Sequence, residues 1–329
     1  MNKNIKKALG LILPILLGVY LIWASLKKLS PEDITAIKES FRIAEYKWIA
    51  LSLFFASLSH LSRAYRWRFL LEPMGYKVSY INCLLSVALA YFMNLGIPRS
   101  GELARAAALS KAENIPFDKT FGSIVAERAT DVLMLLVIIG LVFMIQFDYL
   151  VSLLSESFNP TKIIVSAIIL LAIITSIVIY LKKSTSTFSV KVKKFFGGIG
   201  EGLQSILHTP KKWAYFFHTV FIWLMYILMF YVVGFAFPET SNLSLSAIMS
   251  AFVIGSLSMM LTNGGIGAYP LGVQKILGVY GVSKVAGLAF GWMMWTAQTI
   301  LVITFGVLAF VLIPIYNRKY VSPNKAISE

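Results

Sequence analysis

The sequence is poor in the residues that carry redox, metal and nucleophilic chemistry. It has one cysteine and three histidines among 329 residues. Cys83 cannot form a disulfide within the chain, and His60, His208 and His218 do not have the spacing of a metal site. No aspartate-rich loop of the kind that holds divalent metals in lipid transferases is present. We therefore expect no cofactor and no metal, and a protein that is not an enzyme.

Acidic residues are also scarce, because 15 Asp and Glu stand against 30 Lys and Arg, for a net charge of +15. In a soluble chain this excess would favour nucleic acid as a partner. Here 58% of the residues are hydrophobic, 14% are charged and the mean hydropathy is +0.76, which is typical of an integral membrane protein. The excess of positive charge is then better explained by the bias of cytoplasmic segments toward Lys and Arg, and no nucleic-acid partner is expected.

Long apolar windows predict an all-α polytopic membrane protein that forms a single transmembrane domain over residues 1–329. Each window approaches or exceeds the roughly 20 residues that a spanning helix needs. The first follows a basic start but is too long for a cleaved signal peptide, so we interpret it as a retained anchor. The windows are 8–26, 48–62, 121–147, 163–181, 215–237 and 286–315.

Two further apolar stretches are interrupted by similar turns, Asn94-Leu95-Gly96-Ile97 and Asn263-Gly264-Gly265-Ile266, which lie 169 residues apart. Non-helical backbone at membrane depth is tolerated only where protein or a water-filled cavity surrounds it. Paired interruptions in two halves point to a transporter's binding site. We predict about six full spans and two re-entrant helical hairpins, at 79–112 and 244–281, in an inverted-topology repeat of halves 1–150 and 160–320. Chance recurrence of glycine-rich turns is the alternative.

The connection between the halves, residues 182–213, carries seven lysines and one glutamate. It is predicted to be cytoplasmic, and its apolar residues recur at helical spacing, which favours an amphipathic helix on the anionic lipids of the inner leaflet. Four glycines in this segment leave a partly ordered linker as the alternative. The same charge bias places both termini in the cytoplasm and the protein in the cell (inner) membrane.

Arginines next to the first interruption form the first candidate substrate site. Arg99 and Arg105 flank a Gly/Pro turn and could offer planar forks to a phosphate, with Glu102 orienting one of them or pairing with Arg128. The alternative is that both arginines are topology signals. On the second span Arg63 is a candidate for lining a pathway, whereas its neighbours Arg66 and Arg68 are predicted to be interfacial anchors.

Charged residues inside the window at 121–147 form the second candidate site. Glu127, Arg128 and Asp131 lie in its first part, and the two acids, four residues apart, share a helix face. Ionisable groups at membrane depth face the bundle interior and find partners. A substrate role and a purely architectural ion pair are both open.

The second interruption carries no charge, and its residues Asn263, Gly264, Gly265 and Gly267 form the third candidate. The glycines permit left-handed turns whose exposed N–H groups could bind a phosphate. No Lys-Ser or Lys-Thr follows, so the stretch is not a P-loop. Tight helix packing is the competing explanation.

Several of these motifs, in this order, resemble the flippase-like transmembrane region of lysylphosphatidylglycerol synthases. The resemblance implies a helical membrane protein with re-entrant segments that moves a phospholipid or a lipid-linked headgroup between leaflets. The second-half glycines, Gly264-Gly265-Ile266-Gly267, resemble that family's glycine motif. The other matching residues are the run 62–68, Asn94, Pro98, Arg99, Gly101, Glu102, Arg105, Glu127, Arg128 and Asp131.

Two features depart from this family pattern. The chain ends at Glu329, and we expect no soluble aminoacyl-transferase domain. The stretch Leu271-Gly272-Val273-Gln274 lacks an acidic residue that many relatives would have there. We therefore predict a lipid translocator without synthase activity. A membrane-embedded lipid-modifying transferase using Glu127 and Asp131, and a non-transporting lipid-binding scaffold for a separate synthase, are the alternatives.

Overall fold

The computed structural model describes residues 30–97, 100–146, 186, 206, 209–260 and 262–318, and these residues contain helices and turns but no strand. The chain divides into two compact units, residues 1–124 with 209–329 and residues 125–208. The described helices are α1 Pro31–Ile43, α2 Tyr46–Leu71, α3 Tyr80–Gly96, α4 Gly101–Glu113, α5 Phe117–Ile145, α6 Lys212–Val233, α7 Leu245–Ser258, α8 Ala268–Val279 and α9 Lys284–Tyr316. Helix α5 begins in the first unit and ends in the second.

Three of the described helices are long and apolar enough to cross a membrane: α5, α6 with its short extension to Ala236, and α9. They coincide with the predicted windows at 121–147, 215–237 and 286–315. The windows at 8–26 and 163–181 lie outside the described residues, as does nearly all of the basic connection at 182–213.

The predicted window at 48–62 is the first part of α2, which continues to Leu71 because no helix-breaking residue occurs before Pro73. The run of arginines is therefore inside the helix. Arg66 is fully buried, so its prediction as an interfacial anchor is wrong: α6 supplies a hydrogen-bonding partner at the helix face where a headgroup was expected. Arg68 is half-buried, with its guanidinium 5.3 Å from the ring centre of Tyr65.

The interrupted stretches form two pairs of short helices. Helices α3 and α4 make the first helix pair, and α7 and α8 make the second, close to the predicted bounds. Each of α6, α7, α8 and α9 begins 165 to 167 residues after its counterpart among α2, α3, α4 and α5. The order long helix, two short helices, long helix therefore occurs twice at an almost constant spacing.

In each pair the second helix runs back beside the first, so that the pair begins and ends on the same side. In the first pair, the backbone N–H of Ser79 donates to Oε1 of Glu113 at 3.0 Å, which places the start of α3 beside the end of α4. In the second pair, the hydroxyls of Ser250 and Tyr280 lie 3.0 Å apart. Helix α3, the longest of the four, has 17 residues and spans about 26 Å, which is less than the roughly 30 Å of a bilayer's hydrocarbon core.

One end of the first unit gathers the end of α2 and the start of α6. Thr209 donates to the carbonyl of Phe69 at 3.1 Å, and Lys211 pairs with Glu72 at 2.7 Å. Helix α3 begins only a few residues after α2 ends, so the base of the first helix pair, where α3 begins and α4 ends, is at this end of the unit. The end of α9 is there too, because the hydroxyls of Ser79 and Tyr316 lie 3.0 Å apart.

The opposite end of the first unit contains the start of α2 and the end of α6. The backbone N–H of Glu45 donates to the carbonyl of Ala236 at 3.0 Å, and the rings of Trp48 and Phe235 are 5.0 Å apart. Only a short connection with a 3-10 turn at Pro238–Thr240 separates α6 from α7. The base of the second helix pair, where α7 begins and α8 ends, is therefore at the end opposite to the base of the first pair.

An apolar core holds the first helix pair against α2. Its fully buried members include Trp67 and Leu71 of α2 and Leu109 of α4. Helix α1 is more polar and more exposed, and Arg42 donates two hydrogen bonds of 2.7 Å to Glu39. This hydrogen bonding holds the pKa of the Glu39 carboxyl below its usual value.

Candidate functional site

Five charged side chains are buried among the described residues, apart from His60. In the first unit they are all arginines, Arg63 and Arg66 on α2 and Arg105 on α4. In the second unit they are the carboxylates Glu127 and Asp131 on α5. Buried charges in a membrane protein are expensive and mark functional positions by default.

Arg63 is 2% exposed and points from α2 toward α6. Its Nη2 donates to the hydroxyl of Tyr226 at 3.3 Å, and that hydroxyl lies 3.1 Å from the hydroxyl of Tyr91 on α3. The ring of His60, one turn earlier on α2, meets the edge of the Tyr91 ring at 4.5 Å. These contacts join the first helix pair to both long helices beside it.

Arg66 is one turn further along α2 and is 0% exposed. Its Nη1 donates to Oγ1 of Thr219 at 2.8 Å, and its guanidinium lies 5.2 Å from the ring centre of Tyr215. Arg63 and Arg66 thus form two successive cationic levels along α2, each held by hydroxyl and aromatic groups of α6.

Arg105 stacks on an indole. Its guanidinium carbon is 3.9 Å from the ring centre of Trp67, within the range of a favourable cation–π contact, and the side chain is 2% exposed. The indole is fixed in turn, because Nε1 of Trp67 donates to Oγ of Ser123 at 2.8 Å. The predicted phosphate-binding residue is therefore a buried cation with a fixed orientation.

Polar side chains of the turn between α3 and α4 stabilise that turn by hydrogen bonds to its backbone. Oδ1 of Asn94 accepts from the backbone N–H of Gly101 at 2.8 Å, which satisfies a donor that the start of α4 would leave unpaired. The hydroxyl of Ser100 donates to the carbonyls of Met93 and Ile97 at 3.0 and 2.8 Å. The amide oxygen of Asn94, a predicted substrate-binding residue, is thus used to hold the turn.

Two further residues of the predicted site, Arg99 and Glu102, lie beside this turn. Arg99, with Pro98, lies outside the described residues. Glu102 is half-buried in the first turn of α4, where the helix dipole stabilises a carboxylate. Its proposed pairing with an arginine stays a prediction.

The charged cluster on α5 is bridged by its central arginine. Nη2 of Arg128 is 3.3 Å from Oε1 of Glu127, and Nη1 is 3.5 Å from Oδ2 of Asp131. Glu127 is 0% exposed, whereas the Arg128 side chain is 40% exposed. As their spacing predicts, the two acids lie on one face of the helix, and Arg128 contacts both of them.

The second turn has the left-handed backbone that its glycines predict. Gly264, Gly265 and Gly267 have φ of 60°, 75° and 70°. The carbonyl of Gly264 accepts from Nε1 of Trp295 at 2.8 Å. A side chain at Gly265 would place its Cβ 2.4 Å from the sulfur of Met259, so close packing accompanies the turn. Asn263 begins the 3-10 turn, and its side chain lies outside the described part of the structure.

The two turns meet. A Cβ at Gly264 would lie 3.2 Å from Cδ2 of Leu95, which belongs to the last turn of α3. Behind them, Gly306 of α9 accommodates Phe92, because a Cβ at Gly306 would lie 2.2 Å from the Phe92 Cβ. The tips of the two helix pairs are therefore in van der Waals contact within the first unit.

Sequence reasoning missed the neutral partners of these charges. Tyr226 contacts Arg63, Trp67 contacts Arg105, and Tyr91 contacts Tyr226. The two tyrosines lie in apolar stretches, where an aromatic residue is usual in a core, and Trp67 lies in the run of arginines at 62–68. Sequence reasoning also missed Asn82, a buried amide near the start of α3. The available signal was that Asn82 interrupts an otherwise apolar helix start. Within the described ranges no three of His, Cys, Asp and Glu lie together as a metal site requires.

The amino-acid sequence was compared with known protein families, curated proteins and solved structures. The family model described as the lysylphosphatidylglycerol synthase TM region matches residues 11–320. A UPF0104 membrane protein of Methanocaldococcus jannaschii is 27% identical over 215 residues, which cover 57% of this chain and 64% of the relative. A UPF0104 membrane protein of Pyrococcus horikoshii is 27% identical over 229 residues, 63% of this chain and 66% of the relative. The matches thus span just under two thirds of these relatives, and no solved structure matches significantly.

Proposed function

The chain belongs to the family of the lysylphosphatidylglycerol synthase transmembrane region, and on that premise we propose that it is a lipid translocator. Its cargo is an anionic or phosphate-bearing lipid, which it moves between the leaflets of the cell membrane. The activity is movement alone, and no bond of the lipid is made or broken. The observation that carries this proposal is the burial of Arg63, Arg66 and Arg105 in the first unit of a membrane protein.

Arginine suits the proposed cargo. A guanidinium offers planar pairs of N–H donors that match a phosphate, and it keeps its charge when buried. Burying such a charge is costly unless polar groups hold it. A buried charge that a membrane protein retains therefore marks a functional position by default. The successive levels of Arg63 and Arg66 are about 4.5 Å apart along α2, which allows a headgroup to pass from one to the other without losing its cationic partner.

We also propose the membrane arrangement of the helix pairs. Each pair is a re-entrant hairpin, and the two enter from opposite sides as halves of an inverted-topology repeat. The repeated order of elements, their spacing of 165 to 167 residues and the bases of the pairs at opposite ends support this arrangement. The first hairpin, with its flanking lysines and both chain termini, is proposed to face the cytoplasm, and about six full spans complete the domain.

The proposed mechanism separates headgroup from acyl chains. The headgroup moves along the arginines of the first unit while the acyl chains stay in lipid. In the second unit, Arg128 exchanges between its two carboxylates and a headgroup phosphate, so that a buried charge keeps a partner throughout. The contact between the hairpin tips separates the two leaflet-facing sides of the path.

The proposal predicts that Arg105→Gln slows leaflet exchange of a labelled anionic phospholipid at least tenfold in proteoliposomes. The reason is that a charge-assisted contact to phosphate contributes roughly 1.5 to 3 kcal/mol, and each 1.4 kcal/mol is a factor of ten. Exchange is measured by quenching the label in the outer leaflet. Lys111→Gln is the matched control, because Lys111 is an exposed cation on the same helix.

Three results of that assay separate the possibilities. Loss of exchange in Arg105→Gln with normal exchange in Lys111→Gln supports the arginine path. Equal rates for Arg105→Gln and the wild type contradict a role of Arg105 in the path. Wild-type proteoliposomes that exchange no faster than empty liposomes, with any of several anionic lipids, contradict the translocator.

Labelling of single cysteines tests the hairpins. In a Cys83→Ala background, cysteines at Lys77 and Lys111 are expected to react with an impermeant maleimide from one side only, the same side for both. Cysteines at Asn242 and Lys284, which flank the second helix pair, are expected to react only from the other side. If Lys77 and Lys111 label from opposite sides, the first helix pair spans the membrane and the inverted repeat is wrong.

A further inference from the structure

A polar cluster lies at the base of the first helix pair, where α3 begins and α4 ends. One carboxylate oxygen, Oε1 of Glu113, accepts from the backbone N–H of Ser79 at 3.0 Å and from Nδ2 of Asn82 at 2.6 Å. Glu113 is the last residue of α4, and Ser79 immediately precedes α3. The carboxylate thus joins the two arms of the pair at their base.

The same cluster joins this base to the end of α9. The side-chain amides of Asn82 and Asn317 donate to each other's oxygens, both at 3.0 Å. The hydroxyls of Ser79 and Tyr316 are also 3.0 Å apart. Asn82 is only 1% exposed, and this pairing together with the bond to Glu113 satisfies its buried amide.

Hydrogen bonds of this kind differ from the apolar packing around them. They are directional, and they strengthen one another where the dielectric is low. Further along α3, contacts with α9 are apolar, as at Phe92 and Gly306. The junction between the base of the first helix pair and the end of α9 therefore includes a few polar bonds that can open and re-form.

We propose that Ser79, Asn82, Glu113, Tyr316 and Asn317 form a polar latch whose opening admits the lipid headgroup to the first hairpin. This inference rests on the proposed translocation, because a latch is useful only if the hairpin base opens. With the latch closed, α3, α4 and α9 are held together and the arginine path is shut at this end. Release of the latch lets α9 separate from the hairpin base.

A reversible cross-link tests the latch. In a Cys83→Ala background, Asn82→Cys with Asn317→Cys places one thiol on each side of this junction, and a short bifunctional methanethiosulfonate joins them through two reducible disulfides. Cross-linking is expected to slow leaflet exchange of labelled anionic phospholipid at least tenfold, and a reductant is expected to restore it. Each single cysteine variant is the control, because the reagent cannot join its helices and its own rate is expected to be the same before and after treatment. Equal exchange before and after complete cross-linking overturns the proposal.

Hydrogen–deuterium exchange tests the latch without lipid movement. Asn317→Ala removes the reciprocal pair from the α9 side, and the loss of two hydrogen bonds is expected to raise amide exchange at the start of α3 and the end of α4 roughly tenfold. Amides in the middle of α2 are expected to be unchanged. Unchanged exchange at the hairpin base overturns the latch. If the base opens as expected but wild-type proteoliposomes move no lipid, the translocator fails while the latch stands.

Discussion

Gly101→Ala is expected to disrupt the first helix pair and to lower the free energy of unfolding by roughly 3 kcal/mol or more. A Cβ at Gly101 would lie 2.2 Å from the carbonyl oxygen of Ala90 and 2.5 Å from Nδ2 of Asn94. Neither the backbone of α3 nor the amide that caps α4 can move away without breaking the turn. The measurement is the thermal transition of the purified protein in detergent, together with the yield of folded protein.

Gly96→Ala is the matched control for this prediction. Gly96 ends α3 only a few residues earlier, and a Cβ there would meet nothing within 4 Å. Its effect is expected to stay within about 0.5 kcal/mol. Comparable losses in Gly96→Ala and Gly101→Ala would show that glycine flexibility, and not close contact with α3, is what the turn requires.

Arg128→Gln is expected to be the most damaging substitution of a charged residue, with a loss of roughly 3 kcal/mol. Arg128 contacts both Glu127 and Asp131, which lie one helical turn apart, and its loss takes a cationic contact from each of these carboxylates. Mutual repulsion and poor solvation then favour the unfolded or partly separated state. The same thermal transition in detergent measures the effect.

A second substitution separates charge balance from a direct role in transport. Glu127→Gln with Arg128→Gln removes one charge of each sign and is expected to recover most of the lost stability. If the cluster is only architectural, the double variant also exchanges lipid at the wild-type rate. If Arg128 contacts the headgroup, the double variant is stable but slow. Failure of the double variant to recover stability would contradict the charge-balance account.

The bounds of the two helix pairs could be predicted because they depend on local chemistry. Glycine, asparagine and proline interrupt a helix wherever they cluster, so the turns after Asn94 and Asn263 are visible in the sequence itself. The left-handed backbone at Gly264 and Gly265 follows from the same residues. The shared face of Glu127 and Asp131 is likewise a matter of helical periodicity.

The partners of the arginines could not be predicted, because each comes from a distant part of the chain. Arg66 reads as an interfacial anchor until α6 brings Thr219 to it across 153 positions of sequence. Trp67 is one residue of the arginine-rich run 62–68 in the sequence, and only the fold places Arg105 over its ring. Local pattern shows that a residue is charged and within a helix, but burial depends on which helix packs against that face.

The long separation between Arg66 and Thr219 also sets an order of events during synthesis. Chains grow at roughly 5 to 20 residues per second, so Arg66 leaves the ribosome between about 8 and about 30 seconds before its partner. During that interval α6 has not been made, so neither Thr219 nor Tyr215 is available to hold the guanidinium of Arg66. The buried position of Arg66 is therefore reached only after the second half of the chain has been synthesised.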